Sequence, residues 1–438
     1  MRNNFIEANS NKFYLFTLSL ILVSRWYYRL IHATLWAEDG EIFLHDAIEH
    51  GVKSIFFPYA GYFHTVPRII SYFASLFPTI YIPHIIVIFC LVITYYVISV
   101  LLKKDYEWVV PNVHFRGVML LLIALAPGTT EAYGNIANIH WVLYLYLGLL
   151  ALRSVNYKFN TLDLTLASLA VFSEGAAITL LPLFLIRLLF HVINKRTKRL
   201  IFQESYLIII ILIMSIINFL NKTTQTSFDI PILSLAQVFI KSTLAESISF
   251  SWLYILPYTL FEEYWFIPSI ALTAIAGFFI FKSVSLREYT IILFVFFCCL
   301  WLLPPMTVMA RGSTGNILGL VLTHNDLGWN PFWWLNFRYA FLPSISGYIF
   351  WIWVISLIFK HYKKVAVLLS IIILSLNFYY CLDSYYFIRP YSENKWIKNS
   401  KKIDAVRNNS GLNSIEIPIE PGGWKVIIGK GDIIVDPD

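Results

Sequence analysis

Long apolar runs separated by short polar or aromatic interruptions make up most of the chain. The first is Phe13–His32, broken late by Arg25 and Arg29, and others follow at Tyr81–Leu102, Phe115–Ala126 and a stretch ending at Arg153. Further runs are Ile201–Leu220, Trp265–Phe281, Tyr289–Leu303, Tyr339–Phe359 and Val365–Cys381. Most suit helices that rise 1.5 Å per residue through a hydrocarbon layer about 30 Å thick. Two shorter runs, Leu162–Phe172 and Ala176–Phe190, meet at Ser173-Glu174-Gly175 and predict a tight hairpin of spans with its turn recessed into the membrane. The pattern predicts an all-α polytopic membrane protein of about 10–11 transmembrane helices.

The polar interruptions are of two kinds. Short ones carry the cations: Lys103 and Lys104, Arg153, the set Lys195, Arg196, Lys198 and Arg199, then Lys282 and Arg287, then Lys360, Lys363 and Lys364. Basic turns of this kind face the cytoplasm, and alternate counting then places the N-terminus inside and the tail after Cys381 outside. The long interruptions fall on the outer face: Ala33–Pro78, Thr129–Asn138, 221–263 and Pro304–Phe337. Residues 1–381 therefore form a membrane domain and 382–438 an extracytoplasmic tail. Within that tail Ser414–Val435 alternates apolar and polar residues around Pro421-Gly422-Gly423 and Gly429-Lys430-Gly431, which predicts a small C-terminal β-appendix.

Composition excludes the main alternatives. Hydrophobic residues make up 58% of the 438 and charged residues 13%, with mean hydropathy +0.67. A soluble chain carries about 25% charged residues. The net charge of +7 does not imply nucleic acid, because the cations sit in turns between apolar runs. Cys90, Cys298, Cys299 and Cys381 lie in or at the end of apolar runs, and their spacing suits packing rather than disulfides or zinc. The first run is too long and aromatic for a cleaved leader and is expected to remain as an anchor.

Candidate chemistry lies in the outer interruptions. Glu38 and Asp39 are adjacent carboxylates just after the first run, and burial near lipid would raise such a pKa toward that of a useful base. The same residues also suit an N-cap and first-turn acid of a helix starting near Glu41. Glu131, Asn135, Asn138, His140 and Trp141 combine acid, amide and ring groups of the kind that hold a sugar; helix capping by Asn138 and an interfacial Trp141 are the plainer reading. Glu174 in the recessed turn is a membrane acid and a further candidate. Arg25, Arg29, Arg68, Arg311 and Arg338 fall outside, where arginine is uncommon and wants an anion such as phosphate. Headgroup snorkelling is the alternative for each, above all for Arg25. No Walker loop, GxGxxG, HExxH or GxSxG is present, and the scattered histidines form no metal set.

The acidic pair after the first span, the stretch ending Phe63-His64-Thr65-Val66-Pro67-Arg68, and Arg338-Tyr339-Ala340-Phe341-Leu342-Pro343 opening a late span resemble the GT-C superfamily of membrane glycosyltransferases. Length and short tail are most similar to its bacterial serotype-converting O-antigen glucosyltransferases. The resemblance implies Asp39 as catalytic base with Glu38 as the other candidate, and Glu131 lining the same cleft. It further implies an undecaprenyl-phosphate-linked sugar donor whose phosphate Arg338, Arg68, Arg311 and Arg29 would hold. The glycan acceptor would meet Glu131, Asn135, Asn138, His140, Trp141 and Glu174. No cofactor is implied, although a divalent metal at Asp39 stays open. Activity would face the periplasm from the bacterial inner membrane, with inversion at the anomeric carbon. An O-antigen polymerase or ligase and a lipid-oligosaccharide flippase are the rival readings; no clear internal repeat supports the latter.

Overall fold

In this computed structural model the residues described are 2–32, 34–126, 132–221, 287–311, 341–381, 393–408, 414–428 and 433–435. Helix α1 (Arg2–Arg25) already includes the polar N-terminal residues, which the hydropathy pattern sets apart from the first span. Nothing from Asn3 to Lys12 breaks a helix, so the apolar run simply extends backwards. After Trp26 the short α2 (Tyr27–Ile31) closes this arm.

The segment that follows is folded rather than a plain loop. It holds a single π-helical turn (Asp39–Leu44), α3 (His45–His50), a 3-10 turn (Gly51–Phe56) and a two-stranded hairpin, β1 (Pro58–Tyr59) with β2 (Tyr62–Phe63). The hairpin turns at Ala60 and Gly61, whose φ values of 51° and 88° are the left-handed pair that a tight two-residue β-turn demands. Helix α4 (Thr65–Ser75) then lies amphipathic, with Val66, Ile70 and Ala74 inward and Ile69 and Phe73 outward.

Helices α5 (Ile82–Ser99), α6 (Val113–Ala124), α7 (Ile139–Ala151), α8 (Thr161–Val171), α9 (Leu181–Ile193) and α10 (Lys198–Leu220) build the main bundle. Every residue of α7 is buried, as befits a helix apolar all round, and α5 and α8 pack on it. Among the described residues three helical stretches, Thr79–Leu102, Gly175–Ile193 and Lys198–Leu220, are long and apolar enough to cross a membrane. The outer face of α10 exposes Phe202, Ile209, Ile213, Ile216, Phe219 and Leu220, a surface suited to hydrocarbon rather than water. Residues 162–190 do form a helical pair, α8, a turn at Phe172–Glu174, a 3-10 turn (Gly175–Leu180) and α9, but α8 has 11 residues and only the Gly175–Ile193 arm has the length of a span.

Helix α11 (Arg287–Arg311) corrects one expectation: it runs on through Pro304 and Pro305, where the pattern places the start of a loop. Pro304 and Pro305 each lack the backbone N–H that would bond one turn back, and the helical backbone continues past both. Helices α12 (Phe341–Phe359) and α13 (Lys363–Cys381) match the two late runs. The expected span Trp265–Phe281 and the segment 222–263 lie outside the described residues. In the tail, α14 (Glu393–Asn408) precedes a three-stranded sheet of β3 (Ser414–Ile419), β4 (Trp424–Ile428) and β5 (Ile433–Val435). The order is β4-β3-β5, antiparallel then parallel, and the turn falls on Pro421-Gly422-Gly423 as the alternation predicts.

Buried arginines close the helix ends. The last carbonyls of α6 have no partner inside the helix. Ile123 O accepts from Tyr133 Oη at 2.9 Å, Ala124 O from Arg25 Nη1 at 2.7 Å, and Leu125 O from Asn377 Nδ2 at 3.3 Å. Arg25 is thus buried against a helix C-terminus and does not snorkel to lipid headgroups. At the opposite end of the bundle Arg153 meets Asp163 at 2.7 Å and Arg187 meets Glu204 at 2.8 Å. Arg187 also donates to the carbonyls of Ala151 and Arg153 where α7 ends.

Candidate functional site

The acidic turn is built on a strained entry. Ala37 has φ +44°, a conformation uncommon for a residue with a Cβ, and Glu38 and Asp39 follow directly. Glu38 is half-buried and its side chain caps no backbone group. Asp39 is wholly buried and does not cap its own helix. Its Oδ1 accepts the N–H of Ala137 at 2.9 Å, and its Oδ2 lies 3.6 Å from Arg29 Nη2. Arg29 is itself locked in place, with Nη1 donating to Gly134 O at 3.0 Å and to Asn135 Oδ1, and Nη2 to Thr34 O at 3.4 Å.

Burial pushes the Asp39 carboxyl up to about 7, because the ionised form loses its water; Arg29 and the Ala137 amide pull the other way, and Glu38 adds a small upward push. Gly134 is required where the 132–138 loop presses on α1 and α2. Its φ is +70°, and a Cβ there would come within 2.6 Å of the Trp26 ring.

A second buried group stands beside the first. His140 Nδ1 hydrogen-bonds Glu174 Oε2 at 2.6 Å, while Glu174 Oε1 accepts the N–H of Ala176 at 2.7 Å. The start of α4 docks on the same turn: the N–H of Val66 donates to Ser173 Oγ at 2.8 Å and Thr65 Oγ1 to Phe172 O at 3.0 Å. That contact carries Tyr62 and His64 into the group. The His64 ring lies 4.1 Å from Tyr62 and 5.9 Å, edge-on, from His140. The buried His64 ring meets only the backbone of Tyr59 as a polar partner, and Nδ2 of the buried Asn138 has no hydrogen-bond partner. Burial, with His140 and Arg68 nearby, keeps the His64 pKa well below the usual imidazole value, so the ring is neutral.

The structure thus brings together Arg29, Asp39 and Asn135 in one buried group and His140, Trp141 and Glu174 in another, joined through the chain by Ala137 and Asn138, with Glu38 half-buried beside Asp39. Trp141 is buried with its ring 4.8 Å from that of His140. The donor-phosphate role expected of Arg29 does not fit this placement, because its guanidinium is already committed to Asp39 and three oxygens. Arg68 is also spoken for: its Nη1 lies 2.9 Å from Asp46 Oδ2, and the rings of Phe43 and Phe57 flank it at 5.3 and 5.8 Å. Arg311 ends α11, and its side chain lies outside the described residues, as do Arg338 and Glu131. The sequence pattern singles out neither Tyr62 nor Asp46, and marks His64 only within the Phe63–Arg68 stretch, with no role of its own. The one available signal was a histidine directly before an amphipathic helix.

Among the described residues no three His, Cys, Asp or Glu side chains come together to hold a metal. The surroundings of Asp39 do not fit a divalent cation, since its single carboxylate already faces a guanidinium. No family model, curated protein or solved structure matches this chain.

Proposed function

We propose that this chain is a GT-C-like inverting glycosyltransferase of about 10–11 spans, moving a hexose, glucose in the first instance, from an undecaprenyl-phosphate donor to a lipopolysaccharide O-antigen or similar glycan. It would act in a bacterial inner membrane with its site toward the periplasm. The observation that carries this reading is Asp39, a buried carboxyl held near neutrality against the 132–138 loop, whose chain continues directly into Asn138, His140 and Trp141, groups suited to a sugar.

In this reading Asp39 accepts the proton of the acceptor hydroxyl as that oxygen attacks the anomeric carbon. The C–O bond to the polyprenyl phosphate breaks, and the phosphate leaves with the bonding pair. Such a leaving group needs no general acid, and a single displacement inverts the anomer. Arg29 positions Asp39, while the departing phosphate falls to Arg338 and Arg311. Asn138, His140 and Trp141 line the acceptor's path, with Glu174 fixing the His140 ring.

The test is transfer from a synthetic polyprenyl-phosphate [³H]glucose to lipopolysaccharide by the purified chain in nanodiscs. Counts in the glycan that vanish with Asp39→Asn support the reading. No transfer from any polyprenyl-phosphate hexose, by chain that remains folded, overturns it.

A further inference from the structure

The tail after residue 392 packs on the acidic turn at several points. The N–H of Ala37 donates to Glu420 O, and the N–H of Glu420 donates to Leu35 O at 3.2 Å, so Trp36 and Glu420 bridge in parallel. The N–H of Lys425 donates to Glu41 Oε2 at 3.2 Å, and His45 Nδ1 meets the carbonyl of Ile427. Gly40, next to Asp39, lies directly beneath the sheet. A Cβ there would stand 2.6 Å from Ile419 Cδ1 and 2.7 Å from Val426 Cγ2, both buried.

The same tail grips the far end of the first loop. Asp404 of α14 accepts from Thr79 Oγ1 at 2.6 Å and from the Thr79 N–H at 3.2 Å, and Trp396 Nε1 donates to Thr79 O at 3.3 Å. Residues 35–45 and 79 bracket everything between the first two spans. A clamp at both ends fixes where the loop's side chains point, and the sheet shields the backbone of the acidic turn from water.

We propose that the C-terminal tail is the positioning element of the acidic turn, with Ile419 and Val426 seated on Gly40 to set the place and dryness of Asp39. This deepens the glycosyltransferase reading and rests on it for its kinetic arm. Asp39 itself would do the chemistry; Gly40, Ile419 and Val426 act only through it. Dryness matters because burial is the largest cause of the raised Asp39 pKa.

A protease site placed within 409–413 allows the 414–438 fragment to be cut from the purified full chain in nanodiscs. The fragment is expected to stay with the body on gel filtration, with transfer unchanged. In Ile419→Ser/Val426→Ser it is expected to leave on cutting, and transfer to fall about 100-fold, the scale of a 1 Å misplacement. The midpoint of the pH–rate profile should also drop from about 7 toward the ordinary carboxylate range, which plain loss of folded protein would not cause. Gly40→Ala should lose transfer in the uncut chain, and Gly40→Ala with Ile419→Ala and Val426→Ala should regain part of it.

A fragment that leaves the unaltered body, or one whose loss changes neither rate nor midpoint, overturns the proposal. Retention is read without activity, so a chain that transfers no sugar still tests the clamp, and only the glycosyltransferase reading would then fall.

Discussion

Arg29 Nη2 stands 3.6 Å from Asp39 Oδ2 with both side chains fully buried, and that pair joins the first helical arm to the acidic turn. Two charges without water cost several kcal/mol each unless geometry and further hydrogen bonds compensate. Here Arg29 makes those bonds to Gly134, Asn135 and Thr34, and Asp39 receives the Ala137 amide. The pair is therefore held by the surrounding backbone as much as by its own attraction.

Asp39→Asn keeps the shape and removes the basic oxygen. Sugar transfer should fall about 10²–10⁴-fold at normal protein abundance, the usual contribution of a general base. Glu38→Gln should lose far less, since Glu38 is half-buried and bonds no backbone group. Near-normal transfer in Asp39→Asn would remove the proposed mechanism.

Asp39 also sets the pH response. The base is the ionised form, so kcat/KM should rise with pH through a midpoint near 7 and level off above it. Stability responds in the opposite sense. The folded pKa of about 7 exceeds the unfolded value, so the fold binds the proton more tightly. This group's contribution is greatest below pH ~4 and is lost as pH rises toward 7. Chemical denaturation across pH 4–8, compared between the native chain and Asp39→Asn, measures that difference; parallel curves would contradict the buried titration.

Arg29→Ala leaves Asp39 buried without its counter-charge. Breaking a buried pair costs about 3–5 kcal/mol, and the fold can escape only by keeping Asp39 protonated. The pH–rate midpoint should then move above 7. Arg29→Lys keeps charge but loses the fork that reaches four oxygens, so it should restore stability only in part. Thermal melts and pH profiles on the three forms decide this, and an unmoved midpoint in Arg29→Ala would show that Arg29 does not control Asp39.

Gly134→Ala should destabilise by about 1–3 kcal/mol, because the residue is left-handed and its Cβ meets the Trp26 ring. Gly422→Ala is the control, since no atom lies within 4 Å of its Cβ position. Equal melting temperatures for the two variants would mean that the 132–138 loop moves without cost.

Reporter fusions at Lys198 and after Asn408 should give opposite signals. Lys198 begins α10 at the end that carries the Arg187–Glu204 and Arg153–Asp163 pairs, whereas α14 packs on Thr79 beside the acidic turn. The same signal from both sites would mean that the span count is out by one.

Sequence alone determined where helices form and which residues were worth suspecting. Apolar runs of fixed period make helices locally, and α10, α12 and α13 match the runs to within a few residues. The Ser414–Val435 alternation located the sheet for the same reason: side-chain period is a property of neighbours in the chain. Asp39, Arg29, Asn138, His140 and Glu174 stood out because polar groups among apolar helices are costly and need partners.

Which partner each one takes was decided only by tertiary packing. Arg25 and Arg29 look alike in sequence, yet one closes α6 at Ala124 and the other holds Asp39 and Asn135. Arg68, expected at a phosphate, is neutralised by Asp46 instead. His64 joins His140 and Glu174 because Val66 docks on Ser173, 107 positions away. The tail reaches the acidic turn across 384 positions, from Glu41 to Lys425. Local patterning carries no information about such distant pairings, because burial demands that a charge be met but leaves the identity of its partner to the way the helices pack.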